Sequence, residues 1–269
     1  RDLYKPFARI YFVDFFLSLS IGLICFSCFH RTSNFYISLI SCLFAGLAFY
    51  RCSIFIHEIQ HHSGAELRSF SLVWNVFFGI PCLMPLFLYG EHIAHHSIVS
   101  YSTCKDPEYV KLRSSRLFRF AAVMGLSLVY PLLGPVRFAI FTPLALASRR
   151  MNIFVFTVMS SLYNLKLSYR RPWGPSANTS ARWSQEIACF LWAWAWIGFC
   201  VFGLIEPCFF WKNYLLFLFW IAINQIRTLT AHLYICQGSS HSPYFQLLDT
   251  NTFDLGWGAF FWAPLGLRY

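Results

Sequence analysis

Six of the chain's nine histidines fall in two short clusters, His57-Glu58-Ile59-Gln60-His61-His62 and Glu91-His92-Ile93-Ala94-His95-His96. Neutral imidazole is a common side-chain donor for transition metals, and several imidazoles aimed at one point make a metal site. Residues four apart share a helix face. His57 and His61 therefore point together, with His62 turned away by roughly a quarter turn. His92, His95 and His96 stand at i, i+3 and i+4 on a single stripe. Each cluster can offer two or three nitrogens to a common centre.

His57-Glu58-x-x-His61 also matches the zinc metalloprotease pattern, with two histidine ligands and Glu as general base. Such a site needs one more protein ligand and an open position, which leaves His92, His95 and His96 without a task. A metal transporter is a further reading. Transporters, however, place ligands near the bilayer midplane inside spans, whereas both clusters here follow or lie between apolar runs. The surplus of imidazoles suggests two ions, and iron is the first-row metal that combines imidazole ligation with oxygen activation.

The elements that must position these clusters are built for a bilayer. Of 269 residues, 57% are hydrophobic and 12% charged, with mean hydropathy +0.52; soluble domains carry about 25% charged residues. Thirty-one Phe, fourteen Tyr and ten Trp suit lipid contact and interfacial belts. The net charge of +10 fits basic residues gathered on the cytoplasmic flanks of spans; no segment resembles a nucleic-acid-binding module. Most of the ten cysteines sit singly in apolar runs, where Cys packs as a small hydrophobe.

A bilayer crossing takes about twenty apolar residues. Segments 11–29 and 35–56 form one candidate hairpin around the polar turn His30-Arg31-Thr32-Ser33-Asn34; 187–205 and 209–226 form another around Glu206-Pro207. Arg51, near the end of the second segment, can snorkel to the headgroups. Segment 70–89 is also apolar, yet a single crossing there would put the two histidine clusters on opposite faces. It is therefore expected to be re-entrant or interfacial, broken at Gly79-Ile80-Pro81 and Pro85. Segments 117–147 and 151–163 are read as interfacial, the first because it carries Arg119, Pro131, Gly134, Pro135, Arg137 and Pro143. The expected fold is an all-α integral membrane protein. It has four transmembrane helices in two hairpins, interfacial or re-entrant helices, and a histidine-rich metal site on one face. All but two of the 21 Lys and Arg, Arg31 and Lys212, fall toward that face, which the positive-inside rule makes cytoplasmic.

Taken together, the pattern resembles the membrane fatty acid desaturase superfamily of histidine-box, non-haem di-iron enzymes. His57-x-x-x-His61-His62 is similar to the first box. His92-x-x-His95-His96, followed by Asp106-Pro107-Glu108-Tyr109, is similar to the second. Asn224-Gln225-Ile226-Arg227-Thr228-Leu229-Thr230-Ala231-His232 resembles the segment in which the family places an extra histidine. Trp262-Ala263-Pro264-Leu265-Gly266-Leu267-Arg268-Tyr269 resembles the lead-in to the third box. No third His-x-x-His-His follows. Residues 1–269 are therefore expected to be one desaturase-like domain cut before that box, with the native product continuing past Tyr269 into further histidines.

The resemblance implies a metal set of His57, His61, His62, His92, His95, His96 and His232 around two irons, with O₂ as co-substrate. The implied reaction is insertion of a double bond into a membrane lipid or acyl chain. Lipid hydroxylation, or carotenoid hydroxylation or ketolation, is the alternative on the same centre. Electrons would come from an external ferredoxin or cytochrome b5 carrier, docking on basic residues such as Lys105, Lys111, Arg113 and Arg116, which lipid headgroups could equally contact. Glu58, Glu91 and Asp106 are candidates to orient imidazoles, and Arg227 to hold a carboxylate or headgroup.

Overall fold

A computed structural model describes residues 6–62, 65–103, 105–109, 116–164, 166–231 and 248–251. His232, Lys111, Arg113 and the 262–269 stretch lie outside them. Among the described residues the fold is helical. Helices α1 (Ala8–Arg31) and α2 (Phe35–His61) form an N-terminal hairpin; α9 (Ser180–Val201) and α10 (Pro207–Ala231) form a C-terminal one. Side chains supply two of the helix starts: Asn34 Oδ1 accepts the Ile37 N–H at 3.1 Å, and Thr179 Oγ1 accepts that of Arg182 at 3.2 Å. The α9–α10 turn passes through Gly203 at φ +69°, a left-handed conformation that glycine adopts without strain.

Packing sets both hairpins in one orientation. Lys212, at the start of α10, donates to the carbonyls of Phe29 and His30 at 2.7 and 3.3 Å, closing the C-terminal end of α1. The two hairpin turns thus lie at one end of the bundle, and His57 and Arg227 lie toward the other ends of α2 and α10. Between α2 and α10, Trp220 Nε1 donates to Ser53 Oγ at 3.0 Å. Phe15, Tyr50, Phe55, Phe70, Trp74 and Trp220 fill the surrounding core. Arg51 forms an ion pair with Asp14 of α1, at 2.5 Å from Nη2, so this charge is matched inside the hairpin as well as reaching outward.

Segment 70–89 turns back on itself. Helix α3 (Arg68–Trp74) runs into a π turn at Asn75–Gly79, and the chain then reverses into a 3₁₀ turn at Leu86–Tyr89. Asn75 closes the reversal, its Oδ1 accepting the Leu86 N–H at 3.0 Å. Any side chain at Gly79 would collide with Trp74 and Asn75, at 2.8 and 2.7 Å from the Cβ position. The break foreseen at Gly79-Ile80-Pro81 is thus a compact reversal that hands the chain to α4 (His92–His95).

Helices of membrane length outnumber the four spans expected. Among the described residues, five helices are long and apolar enough to cross a bilayer: α1, α2, α9, α10 and the continuous stretch Tyr130–Ala147, a part of the segment expected to be interfacial. Between α5 (Arg116–Leu126) and α8 (Arg149–Phe154), that stretch joins α6 (Tyr130–Val136), a π turn at Arg137–Phe141 and α7 (Thr142–Ala147). Its breakers are accommodated. Pro131 and Pro143 sit at helix starts, where no N–H is missed, and the π turn begins two residues after Pro135. Arg137 is fully buried, bonded to Glu186 of α9, to which Thr142 also donates at 2.8 Å.

Candidate metal centre

Four imidazoles from two remote segments meet. One ligand nitrogen each from His57, His61, His92 and His96 lies within 4.8 Å of the others. The rings interlock, with centroids 4.5 Å apart for His57–His61, His57–His92 and His61–His96. His92 Nε2 and His96 Nε2 are 3.0 Å apart. Two nitrogens each about 2.1 Å from one metal ion are about 3 Å apart at right angles, so this pair fits a first-row ion.

The two halves are held differently. His57 and His61 share the last turns of a 27-residue helix. His92 and His95 belong to a four-residue helix that His96 caps, and it depends on neighbours. Arg171, 2% exposed at the side chain, donates to the carbonyls of Phe87 and Leu88 at 2.9 and 2.7 Å just upstream. It also pairs with Glu91 at 3.3 Å, and Tyr169 donates to the same carboxylate. Glu91 thus ties the helix start to Arg171 and Tyr169.

Other carboxylates stand behind the rings. Nδ1 of His95 lies 2.9 Å from Asp106, Nδ1 of His92 lies 2.6 Å from Glu108, and Nδ1 of His57 lies 3.3 Å from Glu58. Each contact directs Nε2 as the nitrogen able to face a metal and raises its basicity. Asp106 is fully buried and also accepts the N–H groups of Ser102, Glu108 and Tyr109. Ser102 sits at φ +59°, a strained position for a non-glycine residue. The loop is therefore wrapped around one carboxylate, which places Asp106 and Glu108 together. Sequence reasoning gave Glu108 no role. Its signal was the pair of acids flanking Pro107 in a chain with only 11 acidic residues.

Electrostatics keep His92 and His96 of the second cluster suited to ligation. Burial pulls the His92 pKa below the usual imidazole value despite Glu108 beside it. Burial and then the neighbouring His92, His95, His61 and His57 pull His96 down as well. Burial lowers His95 too, but Glu108 and Asp106 outweigh it and raise its pKa. Burial pushes Glu108 up, yet His92 and His95 hold it well below the carboxylate range. Neutral imidazoles are the ligating form.

The remaining sequence candidates are placed as follows. His95 is fully buried beside the quartet, with its ring 4.9 Å from that of His96. His62 is the C-cap of α2 and stands outside the quartet. His232 is outside the described residues. Arg227 is buried on α10 and lines a cavity of about 130 Å³ together with His57 and Glu108.

Residues 34–269 match the family model for fatty acid desaturases. The chain belongs to the fatty acid desaturase family. A ceramide hydroxylase of Caulobacter vibrioides (strain NA1000 / CB15N) is 31% identical over 276 residues, which cover all of this chain and 77% of the relative. No solved structure matches. Members of the family use a di-iron centre, and the histidine quartet could hold metal. The protease reading of His57-Glu58-x-x-His61 gives way to this one, because Glu58 contacts a ligand ring and the Tyr11 hydroxyl while histidines from both clusters fill one group.

Proposed function

We propose that the chain is an O₂-dependent oxidoreductase that oxidises an unactivated C–H bond of a membrane lipid on a histidine-ligated di-iron centre. The observation that carries this is the convergence of His57, His61, His92 and His96, drawn from both boxes, on one point beside a cavity. His57, His61, His92 and His96 would hold the metal, with His95, His62 and His232 as further ligands. When bound, the iron pair would supply oxygen activation and C–H cleavage, chemistry beyond acid–base side chains.

The chain's own groups have narrower tasks. Glu58, Glu108 and Asp106 hold Nδ1 protons and fix ring orientation. Burial of His92 and His95 keeps water from competing at their edges. The cavity lined by Ile54, Ile56, Met84, Leu88 and Trp220 on its apolar side admits an alkyl chain. Electrons would come from an external ferredoxin or cytochrome b5 type carrier. The site would face the cytoplasm, by the distribution of Lys and Arg.

Two outcomes share this machinery: removal of two hydrogens to give a double bond, and insertion of oxygen to give a hydroxyl. The family description favours the first, and the ceramide hydroxylase relative favours the second. The test is metal analysis of the full-length protein, expecting about two irons per chain, followed by mass analysis of lipids from cells expressing it. A gain of oxygen in a ceramide assigns hydroxylation, and loss of two hydrogens assigns desaturation. One zinc per chain and no altered lipid would overturn the proposal.

A further inference from the structure

The cavity beside the histidines is polar along one wall. Helix α10 presents Trp220 and Ile221 to it and then, toward the histidine end, Asn224, Gln225, Arg227 and Thr228; Asn164 adds a third carboxamide. An alkyl chain needs no such wall, and polar groups placed without partners inside a membrane bundle are costly. Arg227 is the sharpest case. It is 8% exposed, its Nε is buried without a hydrogen bond, and among the described residues its guanidinium has no acceptor or ion-pair partner. A buried, unpartnered guanidinium calls for an acceptor from outside the chain.

The charge balance narrows what that acceptor is. Glu108 lines the same cavity, so an incoming carboxylate would meet a carboxylate as well as Arg227. Asn224 and Gln225 carry both a donor and an acceptor, and Asn164, whose Nδ2 donates to the Ser161 carbonyl at 3.3 Å, keeps its Oδ1 as an acceptor, a set that matches a neutral head group bearing both. Resting on the lipid-oxidising reading above, we infer that Arg227, Asn224, Gln225 and Asn164 form a head-group subsite for a neutral amide- and hydroxyl-bearing lipid. Arg227 is its main selectivity residue. Because the polar wall and His57 share one small cavity, a head bound there offers its first few carbons to the centre and leaves the middle of the chain outside.

The full-length protein in lipid nanodiscs is titrated with a fluorescent ceramide, using unlabelled ceramide, the free fatty acid and its methyl ester, all of one chain length, as competitors. Ceramide is expected to compete best. Arg227→Gln and Asn224→Leu should each weaken ceramide about tenfold, the loss of one strong hydrogen bond, with the methyl ester unchanged. Arg227→Lys, which keeps the charge and loses the planar fork, should fall between. Equal ceramide affinity in wild type, Arg227→Gln and Asn224→Leu would overturn the assignment. So would a wild type that prefers the free acid and loses that preference in Arg227→Gln. If Arg227→Gln fails to fold, Asn224→Leu decides alone. Product fragmentation adds a second readout: a new oxygen or double bond near the head supports the subsite, and one in mid-chain refutes it. Absence of turnover by wild type with head-group selectivity intact would count against the proposed reaction and in favour of this subsite.

Discussion

The two histidine clusters reach the same point by different means. His57 and His61 are spaced by the geometry of α2 itself, whose length and apolar contacts exist independently of any metal. His92, His95 and His96 ride on a single helical turn, too short to form alone. They are aimed by Arg171 on one side and by Asp106 and Glu108 on the other. One cluster is fixed by secondary structure and the other by tertiary contacts, so damage around the second should reach the metal through loss of shape.

The largest break should come from Arg171→Leu. It removes the donor to the Phe87 and Leu88 carbonyls and leaves Glu91 with only Tyr169. Removing one partner of a buried pair destabilises by roughly 3–5 kcal/mol. Hydrogen exchange should show opening confined to residues 86–96 with α2 still protected. Equal loss of protection in α2 would erase the contrast between the clusters.

Next is Asp106→Ala, which removes the carboxylate at His95 Nδ1 and the acceptor of three backbone N–H groups. Loss of such an outer-shell group lowers metal affinity about 10–100-fold, measured by chelator competition. A smaller contrast compares Glu108→Gln with Glu58→Gln. The first weakens a 2.6 Å contact on the tertiary-held cluster and should reduce iron affinity about tenfold. The second weakens a 3.3 Å contact on a helix that positions His57 anyway, and should matter less. A larger effect at Glu58 would reverse the argument.

The subtlest contrast is with pH. His92 and His96 have lowered values in the folded chain, so the unfolded chain binds more protons below about pH 6.5. Stability of the metal-free protein should therefore fall as pH drops through that range. Glu108, also lowered, adds a loss of the same sign as pH falls further through the ordinary carboxylate range. His95, raised by Glu108 and Asp106, acts in the opposite sense and loses its contribution as pH rises above its folded value. Denaturation midpoints across pH should flatten on the acid side in His96→Ala. An unchanged acid limb would show that His96 does not carry the effect.

The ligand boxes were legible in the sequence because they obey helical spacing, and the reversal at residues 79–85 because glycine and proline mark it. The shared face followed from chemistry: two boxes serving one centre cannot be separated by a crossing. What escaped depends on partners far along the chain. The prolines and Arg137 of Tyr130–Ala147 argue against a helix of membrane length, and only the fold shows Glu186 countering the charge within one. Arg51 looked like a snorkelling cation because nothing local linked it to Asp14. Glu91 and Glu108 both flank histidines or follow them, but only the folded loop shows that Glu108 meets a ring and Glu91 meets Arg171.

The Arg137–Glu186 pair also bears on how the protein is made. A bare Arg at the centre of a membrane helix opposes insertion by about 2.5–3.5 kcal/mol, and its partner lies 49 residues downstream. During synthesis Tyr130–Ala147, which is long and apolar enough to cross a bilayer, emerges with that charge uncompensated, so a crossing by it would be stable only once α9 has followed. The insertion machinery should hold this segment until Glu186 arrives, and a ribosome-stalled chain ending before α9 should leave it extractable.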